Sequence, residues 1–228
     1  MPAPQRYVEW INQHLGFNPR SGGPHSQTLS RFIHDDLVEI CPDFRNTCTT
    51  VSSDYRLDVQ VFNPHRSMAR TVDYVHPGEG VVRLSIENKT LMTAFGKARK
   101  NRYGDLQAYF GHMHEIERRT IVAATLVVNV APEYQNPDWD EPPNVHKNVA
   151  KIVASTIDMF RAFLPFRSHT LNLDAKAEAF CVIVINYDGR NPATLHVEPP
   201  APQPDDLFSY RSFLSLISKQ YSERFPTA

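Results

Sequence analysis

The chain has 228 residues, enough for one substantial domain that buries a core without disulfides or metals. Its composition is ordinary, with 41% hydrophobic residues, 21% charged residues and a formal net charge of −1. The overall charge therefore excludes binding to nucleic acid through bulk charge alone, and any anion-binding surface must come from local clusters of Lys and Arg.

Cysteine usage and hydropathy indicate an intracellular protein. Cys41, Cys48 and Cys181 are odd in number and lack CxxC spacing, so we expect free thiols in a reducing compartment. No stretch approaches the roughly 18 apolar residues of a membrane span, and the first residues lack the apolar core of a signal peptide. We predict a soluble, cytoplasmic protein with no membrane partner.

Helical spacing marks the first two elements. Residues 5–16 predict a short helix that ends at Gly16, and residues 27–40 predict a second helix that ends before Pro42. The apolar residues of the second helix recur at steps of three and four: Leu29, Phe32, Ile33, Leu37 and Ile40.

Period-two patterns then predict three strands, over residues 55–62, 69–75 and 81–89. The turn sequences NPHRSM and HPGEG connect them, and such short connections favour an antiparallel three-strand meander. Opposed residues of an antiparallel pair have residue numbers with a constant sum. A turn centred between His65 and Arg66 therefore opposes Asp58 to Asp73.

Helical spacing returns over residues 93–117, where Gly96 and Gly104 are weak points. Two nearly continuous apolar runs, 120–131 and 179–187, predict strands that are buried on both faces. A helix from about residue 149 to 164 lies between them, and a C-terminal helix carries Phe213, Leu214, Ile217 and Tyr221. These elements predict an α/β fold in one domain, with a mixed sheet flanked by helices.

The third strand carries a carboxylate and an ammonium group on one face. Because residues two apart on a strand point the same way, Glu87 and Lys89 share this face with Arg83 and Ser85. We therefore expect a polar face here, while Leu84 and its alternate neighbours face the core.

The register of the second turn decides what lies opposite that face. A turn centred on Gly80 opposes Asp73 to Glu87, whereas a turn centred on Gly78 opposes Asp73 to Arg83. The sequence leaves both registers open.

The first of these registers predicts a magnesium site formed by Asp58, Asp73 and Glu87. Carboxylates about 4–5 Å apart repel by roughly 1–4 kcal/mol at surface-like dielectric unless a cation lies between them. Oxygen ligands with room for water and phosphate suit Mg²⁺. Lys89 would then position or help to deprotonate an attacking water, or offset charge on a phosphate in the transition state. Metal-assisted phosphodiester hydrolysis needs these groups together.

The helix behind this strand adds a basic surface. A stripe at steps of three and four begins with Arg99 and Arg102 and continues with three apolar residues. These are Leu106, Tyr109 and Met113. Lys97 and Lys100 lie off the stripe and widen the basic surface. We expect the first half of the helix to face a cleft and to bind DNA phosphates. The His112-x-His114 pair on the same helix predicts a solvated face.

Together these residues resemble the PD-(D/E)XK nuclease superfamily, the fold of many restriction endonucleases. That family has an α-β-β-β-α-β core, an acid on the second strand, a (D/E)-x-K motif on the third, and a helix behind it that contacts DNA. By this resemblance Asp73 takes the first acidic position, with Asp58 as its rival, and Glu87-Asn88-Lys89 takes the second motif. The core would cover about residues 27–131, with 132–228 as an extension.

The resemblance has one departure and implies further roles. Val72 stands before Asp73, where the family has proline. Many members also carry an acid on the helix before the sheet, a role for Glu39 or Asp36. The resemblance implies a Mg²⁺-dependent DNA endonuclease of the restriction type, working as a homodimer because two strands are most simply cut by two active sites. The alternative is a binding module on the same fold that holds nucleic acid or protein without cleavage.

Overall fold

The structure is a computed structural model that describes residues 1–14, 23–41, 44, 59–63, 68–72, 83–116, 118–136, 142–168 and 175–226. Its helices are α1 (Ala3–Gln13), α2 (Gly23–Ile40), α3 (Phe95–Ile116), α4 (Val149–Phe160) and α5 (Tyr210–Arg224). Its strands are β1 (Val59–Asn63), β2 (Met68–Val72), β3 (Leu84–Leu91), β4 (Ile121–Asn129), β5 (Glu133–Tyr134), β6 (Asn144–Val145), β7 (Ala179–Asn186) and β8 (Thr194–Leu195). Among the residues so described, no helix combines the length and the apolar character needed to cross a membrane.

The main sheet has four strands in the order β3-β4-β7-β8. β3, β4 and β7 are parallel, with Glu87 opposite Ala124 and Ala123 opposite Ala179, and β8 adds an antiparallel edge. Because parallel neighbours need a crossover connection, α3 links β3 to β4 and α4 lies between β4 and β7 in the chain. The fold is therefore mixed α/β, with a mostly parallel sheet flanked by helices.

The predicted meander appears only in its first hairpin. β1 and β2 are antiparallel, and Val59 lies opposite Val72, which is the register that a turn between His65 and Arg66 predicts. β3 pairs in parallel with β4, and no ladder joins β2 to β3 within the described parts of these strands. The predicted second turn falls outside the described residues.

The core has two layers, one on each face of the sheet. All nine residues of β4 are buried, as its continuous apolar run predicts. Ala123 and Val127 pack with α1, α2 and α5, whereas Leu126 and Val128 pack with α3 and α4. Burying one such large aliphatic side chain contributes roughly 1.5–3 kcal/mol, so helices cover both faces.

The predicted helices are confirmed within a few residues at their ends. The segment around residues 93–117 forms one helix that includes Gly96 and Gly104, and neither glycine has a neighbouring atom close to its missing Cβ. Ser209 caps the start of α5, because its Oγ accepts a hydrogen bond from Ser212 N at 3.1 Å. Cys41 and Cys181 are buried, and Cys48 lies outside the described residues.

Candidate functional site

Glu87 and Lys89 lie side by side on β3, the first strand in the order of the four-strand sheet that the described residues form. Their side chains form an ion pair between Oε1 and Nζ. Their side chains are 23% and 21% exposed. Ser85, two residues before Glu87, forms a hydrogen bond with the Tyr109 hydroxyl of α3. Because side chains alternate along a strand, Glu87 and Lys89 lie on the face of β3 that α3 covers.

The opposite face of β3 holds the strand in place through Asn88. Its Nδ2 donates to Ser30 Oγ of α2 at 2.8 Å, and its Oδ1 accepts from Thr125 Oγ1 of β4 at 2.6 Å. Asn88 is buried, so these bonds satisfy polar atoms that have little access to water. They fix the rotation of the strand and thereby keep Glu87 and Lys89 on the α3 side.

The polar face predicted for β3 is shorter than expected. Ser85 is fully buried under α3. Arg83 precedes the strand and points to α5, where its Nη1 donates to the Tyr221 hydroxyl at 3.0 Å and its guanidinium lies 4.8 Å from the Phe225 ring centre. The prediction that Arg83 shares a polar face with Glu87 is therefore wrong. The partly exposed polar part of that face consists of Glu87 and Lys89.

The predicted metal ligands are only partly described. Glu87 supplies one carboxylate, the type of donor that Mg²⁺ prefers. Asp58 and Asp73 lie outside the described residues. Within the described ranges, no group of three His, Cys, Asp or Glu side chains is arranged to hold a metal ion. The fit of a magnesium ion at Glu87 therefore depends on Asp58 and Asp73.

The two acids considered on α2 have different surroundings. The Asp36 carboxylate is buried and accepts hydrogen bonds from the Ala3 backbone nitrogen at 2.7 Å and from the Tyr210 hydroxyl at 2.6 Å. It also pairs with Arg6 at 2.5 Å. Burial and the bond to Asp36 raise the pKa of Tyr210. Asp36 thus joins α1, α2 and the start of α5, whereas Glu39 is exposed.

The stripe predicted on α3 is confirmed in its apolar half, because Leu106, Tyr109 and Met113 are all buried. In its basic half, Arg102 Nη1 pairs with Asp105 at 3.2 Å. Arg99 Nη1 donates to Ser155 Oγ of α4 at 2.9 Å. In the structure, Arg99 therefore faces α4, whereas Arg102 is paired with an acid on its own helix.

A cleft of about 620 Å³ lies where the amino-terminal turns of α3 and α4 meet. We call it the α3/α4 cleft. It is lined by basic and imidazole side chains from both helices and from the segment between β6 and α4: Lys97, Arg99, His146, Lys147 and Lys151. None of the residues that line it is acidic, whereas Lys100 and Arg102 lie outside it. The sequence signal was present in VHKNVAK, a basic run before α4, but it lies about fifty residues from Lys97 along the chain.

The prediction that His112 and His114 form a solvated face is wrong, because they are 1% and 2% exposed. His114 Nε2 lies 3.4 Å from the buried carboxylate of Glu178. That carboxylate also pairs with Arg167 at 2.9 Å and Arg224 at 2.6 Å. This cluster lies at the end of the sheet where β4 and β7 begin, and it consolidates the core.

No protein-family model, curated protein or solved structure matches this chain.

Proposed function

We propose that this chain is a Mg²⁺-dependent DNA endonuclease of the PD-(D/E)XK type. The observation that carries the proposal is the ion pair of Glu87 and Lys89, held side by side and partly buried between β3 and α3. Two further features support it. The elements α2-β1-β2-β3-α3-β4 follow the order of the family core, and β3 and β4 are parallel.

Packing alone gives a weak reason for charged side chains at these positions. Other residues on the α3 face of β3, Ser85 and Leu91, are 0% and 1% exposed and pack against α3 or its cluster. Removing charges from water is costly, and a partly buried ion pair often stabilises a protein less than apolar residues would. Ligand sites of α/β sheets also collect towards the carboxyl ends of parallel strands. A functional role for Glu87 and Lys89 explains their presence.

In the proposed site, Glu87 and Asp73 bind Mg²⁺, with Asp58 as a third ligand. When bound, the ion would supply charge neutralisation and a more acidic water. Lys89 donates from Nζ to orient the attacking water and to offset charge on the phosphate. The ion pair holds the Glu87 carboxylate beside the Lys89 ammonium group. Lys97, Arg99, Lys100 and Arg102 would bind the DNA backbone, and a homodimer would cut both strands.

A plasmid-cleavage assay tests this proposal. In 10-fold dilution series with Mg²⁺, wild type should convert supercoiled DNA to nicked or linear forms. Lys89→Met should lower the rate about 10²–10³-fold, the usual cost of removing one donor that stabilises transition-state charge. Glu87→Gln, which weakens a metal ligand, should lower the rate at least as much. Glu9→Gln and Lys219→Met, exposed residues of α1 and α5, are matched controls with unchanged rates. DNA binding and thermal unfolding of all variants are measured in parallel, so that misfolding is recognised.

The proposal fails if wild type cuts neither plasmid nor oligonucleotide DNA with Mg²⁺ or Mn²⁺, or if Glu87→Gln cuts as fast as wild type. Discrete fragments would indicate a restriction-type specificity. A smear would indicate cleavage without a fixed recognition sequence.

A second candidate function is a nucleic-acid-binding module without cleavage. The α3/α4 cleft favours this candidate. Basic side chains collect there, and neither Glu87 nor Lys89 lines the cleft. This candidate predicts that wild type binds duplex DNA, that Glu87→Gln and Lys89→Met bind it equally well, and that no variant cuts it.

A further inference from the structure

The α3/α4 cleft has the charge of an anion site. Four cations line it: Lys97 and Arg99 from α3, Lys147 from just before α4, and Lys151 from the first turn of α4. None of its lining residues is acidic. Its volume of about 620 Å³ falls within the range of roughly 300–1,000 Å³ that is usual for small-ligand sites. Like charges collected in this way repel one another unless an anion lies between them.

The positions of these lysines at the ends of the helices are a second reason to expect a bound anion. The amino-terminal end of a helix carries partial positive charge, so cations there are unfavourable and anions are favourable. Neither α3 nor α4 has an acidic residue in its first turn, and the side chain of Asn148 does not cap α4. Lys97, Lys147 and Lys151 nevertheless occupy these two ends. These lysines therefore lie where the partial charge of the helix disfavours them, and conflicts of this kind concentrate at functional sites.

Two residues that line the cleft each carry a buried, unpaired nitrogen atom. Arg99 Nε and His146 Nε2 have no hydrogen-bond partner within the part of the chain that the structure describes. The His146 ring is held edge-on to Phe95, with ring centres 5.1 Å apart, and its backbone nitrogen donates to Pro132 O at 2.7 Å. Burial lowers the pKa of His146 below its ordinary value and so favours the neutral imidazole.

We propose that the α3/α4 cleft binds a phosphate group, held by Lys97, Arg99, Lys147 and Lys151, with His146 at its edge. The phosphate site does not depend on cleavage by Glu87 and Lys89. The identity of the molecule that carries the phosphate does rest on the proposed function. We assign the phosphate to a nucleic-acid strand that binds along α3 and passes β3. Three of these residues, His146, Lys147 and Lys151, extend the basic surface beyond α3.

Inorganic phosphate is the first probe. The pKa of His146 is followed by NMR of the full chain, with its ring signals assigned through His146→Gln, in sodium phosphate and in sodium chloride at equal ionic strength. Phosphate should raise this pKa, because a nearby anion favours the protonated imidazole. Lys97→Ala and Lys151→Ala should weaken phosphate binding about three- to tenfold each, in line with the loss of one screened charge pair. Lys219→Ala, which removes an exposed lysine of α5, is the matched control with unchanged affinity.

Duplex DNA is the second probe. If the phosphate comes from a DNA strand, a short duplex should shift the same His146 signals and compete with inorganic phosphate. Lys97→Ala and Lys151→Ala should each reduce the slope of log K against log salt by about 0.9, the value for one lost phosphate contact on duplex DNA.

The outcomes separate the two proposals. The phosphate site is overturned if phosphate leaves His146 unchanged, or if Lys219→Ala weakens binding as much as Lys97→Ala does. Nucleic acid as the source is overturned if inorganic phosphate binds but duplex DNA neither shifts His146 nor competes. If both probes bind as expected and no DNA is cut, the endonuclease proposal fails and the phosphate site stands.

Discussion

The buried carboxylate of Glu178 gives the sharpest prediction about stability. Glu178 is 1% exposed, and its oxygens accept from Arg167 Nη1 at 2.9 Å, Arg224 Nη2 at 2.6 Å and Val122 N at 2.8 Å. The side chains of Arg167 and Arg224 are 4% and 2% exposed, so their charges are also removed from water. Glu178→Gln keeps the shape of the side chain and removes the charge that compensates two buried guanidinium groups.

The expected cost follows from this burial. Removing one partner of a buried ion pair costs about 3–5 kcal/mol, because the remaining charge is left uncompensated. For a chain of this size, 1 kcal/mol changes Tm by about 2–4 °C, so Glu178→Gln should lower Tm by roughly 6–20 °C. Differential scanning calorimetry and urea unfolding measure both quantities. Glu9→Gln, an exposed change on α1, is the matched control and should stay within about 0.5 kcal/mol of wild type.

The pH dependence has a definite sign. Burial by itself would raise the pKa of Glu178, but the hydrogen bond and charge of His114, the charge of Arg224 and the bond from Val122 N outweigh it and lower the pKa below its ordinary value of 4.5. The stabilisation is therefore complete above pH 4.5 and is lost as the pH falls through the lower folded-state value. The stability difference between wild type and Glu178→Gln should be constant near neutral pH and shrink in acid.

A double variant tests whether the charges are coupled. Glu178→Gln with Arg224→Gln should cost less than the sum of the two single changes, because each removes a partner of the other. A loss below about 1 kcal/mol for Glu178→Gln, or strict additivity in the double variant, would refute this view of the cluster.

Further predictions concern individual side chains. Tyr109→Phe should destabilise the protein by about 1–3 kcal/mol in urea unfolding, because Ser85 loses a hydrogen-bond partner in a buried site; an unchanged midpoint would contradict this. Ser209→Ala should cost about 1 kcal/mol by the same measurement, since Ser212 N at the start of α5 loses its capping oxygen, whereas Ser209→Asn should retain most of the stability. Burial raises the pKa of Cys181, so its thiol should react with iodoacetamide only after unfolding; fast labelling of the native protein at Cys181, detected by mass spectrometry, would disprove this.

The elements that could be predicted are those with a local pattern. The uniform apolar run of β4 predicts burial on both faces, and all nine residues are buried. The stripe of Leu106, Tyr109 and Met113 predicts the buried side of α3. The register of β1 and β2 could be predicted because only residues 64–67 separate them in the chain, and a short connection leaves little freedom in how two strands align. Likewise, the two-residue spacing places Glu87 and Lys89 on one face of β3 without knowledge of the remaining chain.

The predictions that failed depend on distant segments. Arg83 does not lie on the expected face of β3, because it donates a hydrogen bond to the hydroxyl of Tyr221, 138 residues later in the chain. His114 is buried because Glu178, 64 residues later, lies beside it. The α3/α4 cleft forms only because α4 lies beside α3, where Arg99 donates a hydrogen bond to Ser155, 56 residues later in the chain. In each case a charged or polar side chain has several possible partners, and the energy of the chosen contact depends on packing that no local pattern contains.

The sequence by itself determined the helices, the buried strands and the pairing of a carboxylate with an ammonium group on β3, because hydrophobic periodicity acts over a few neighbouring residues. Tertiary structure alone decided the parallel pairing of β3 with β4, the charge balance around Glu178 and the meeting of two basic helix ends in one cleft. The physical reason is that burial and electrostatic interactions depend on distance in space, and chain folding brings together residues that are far apart in the sequence.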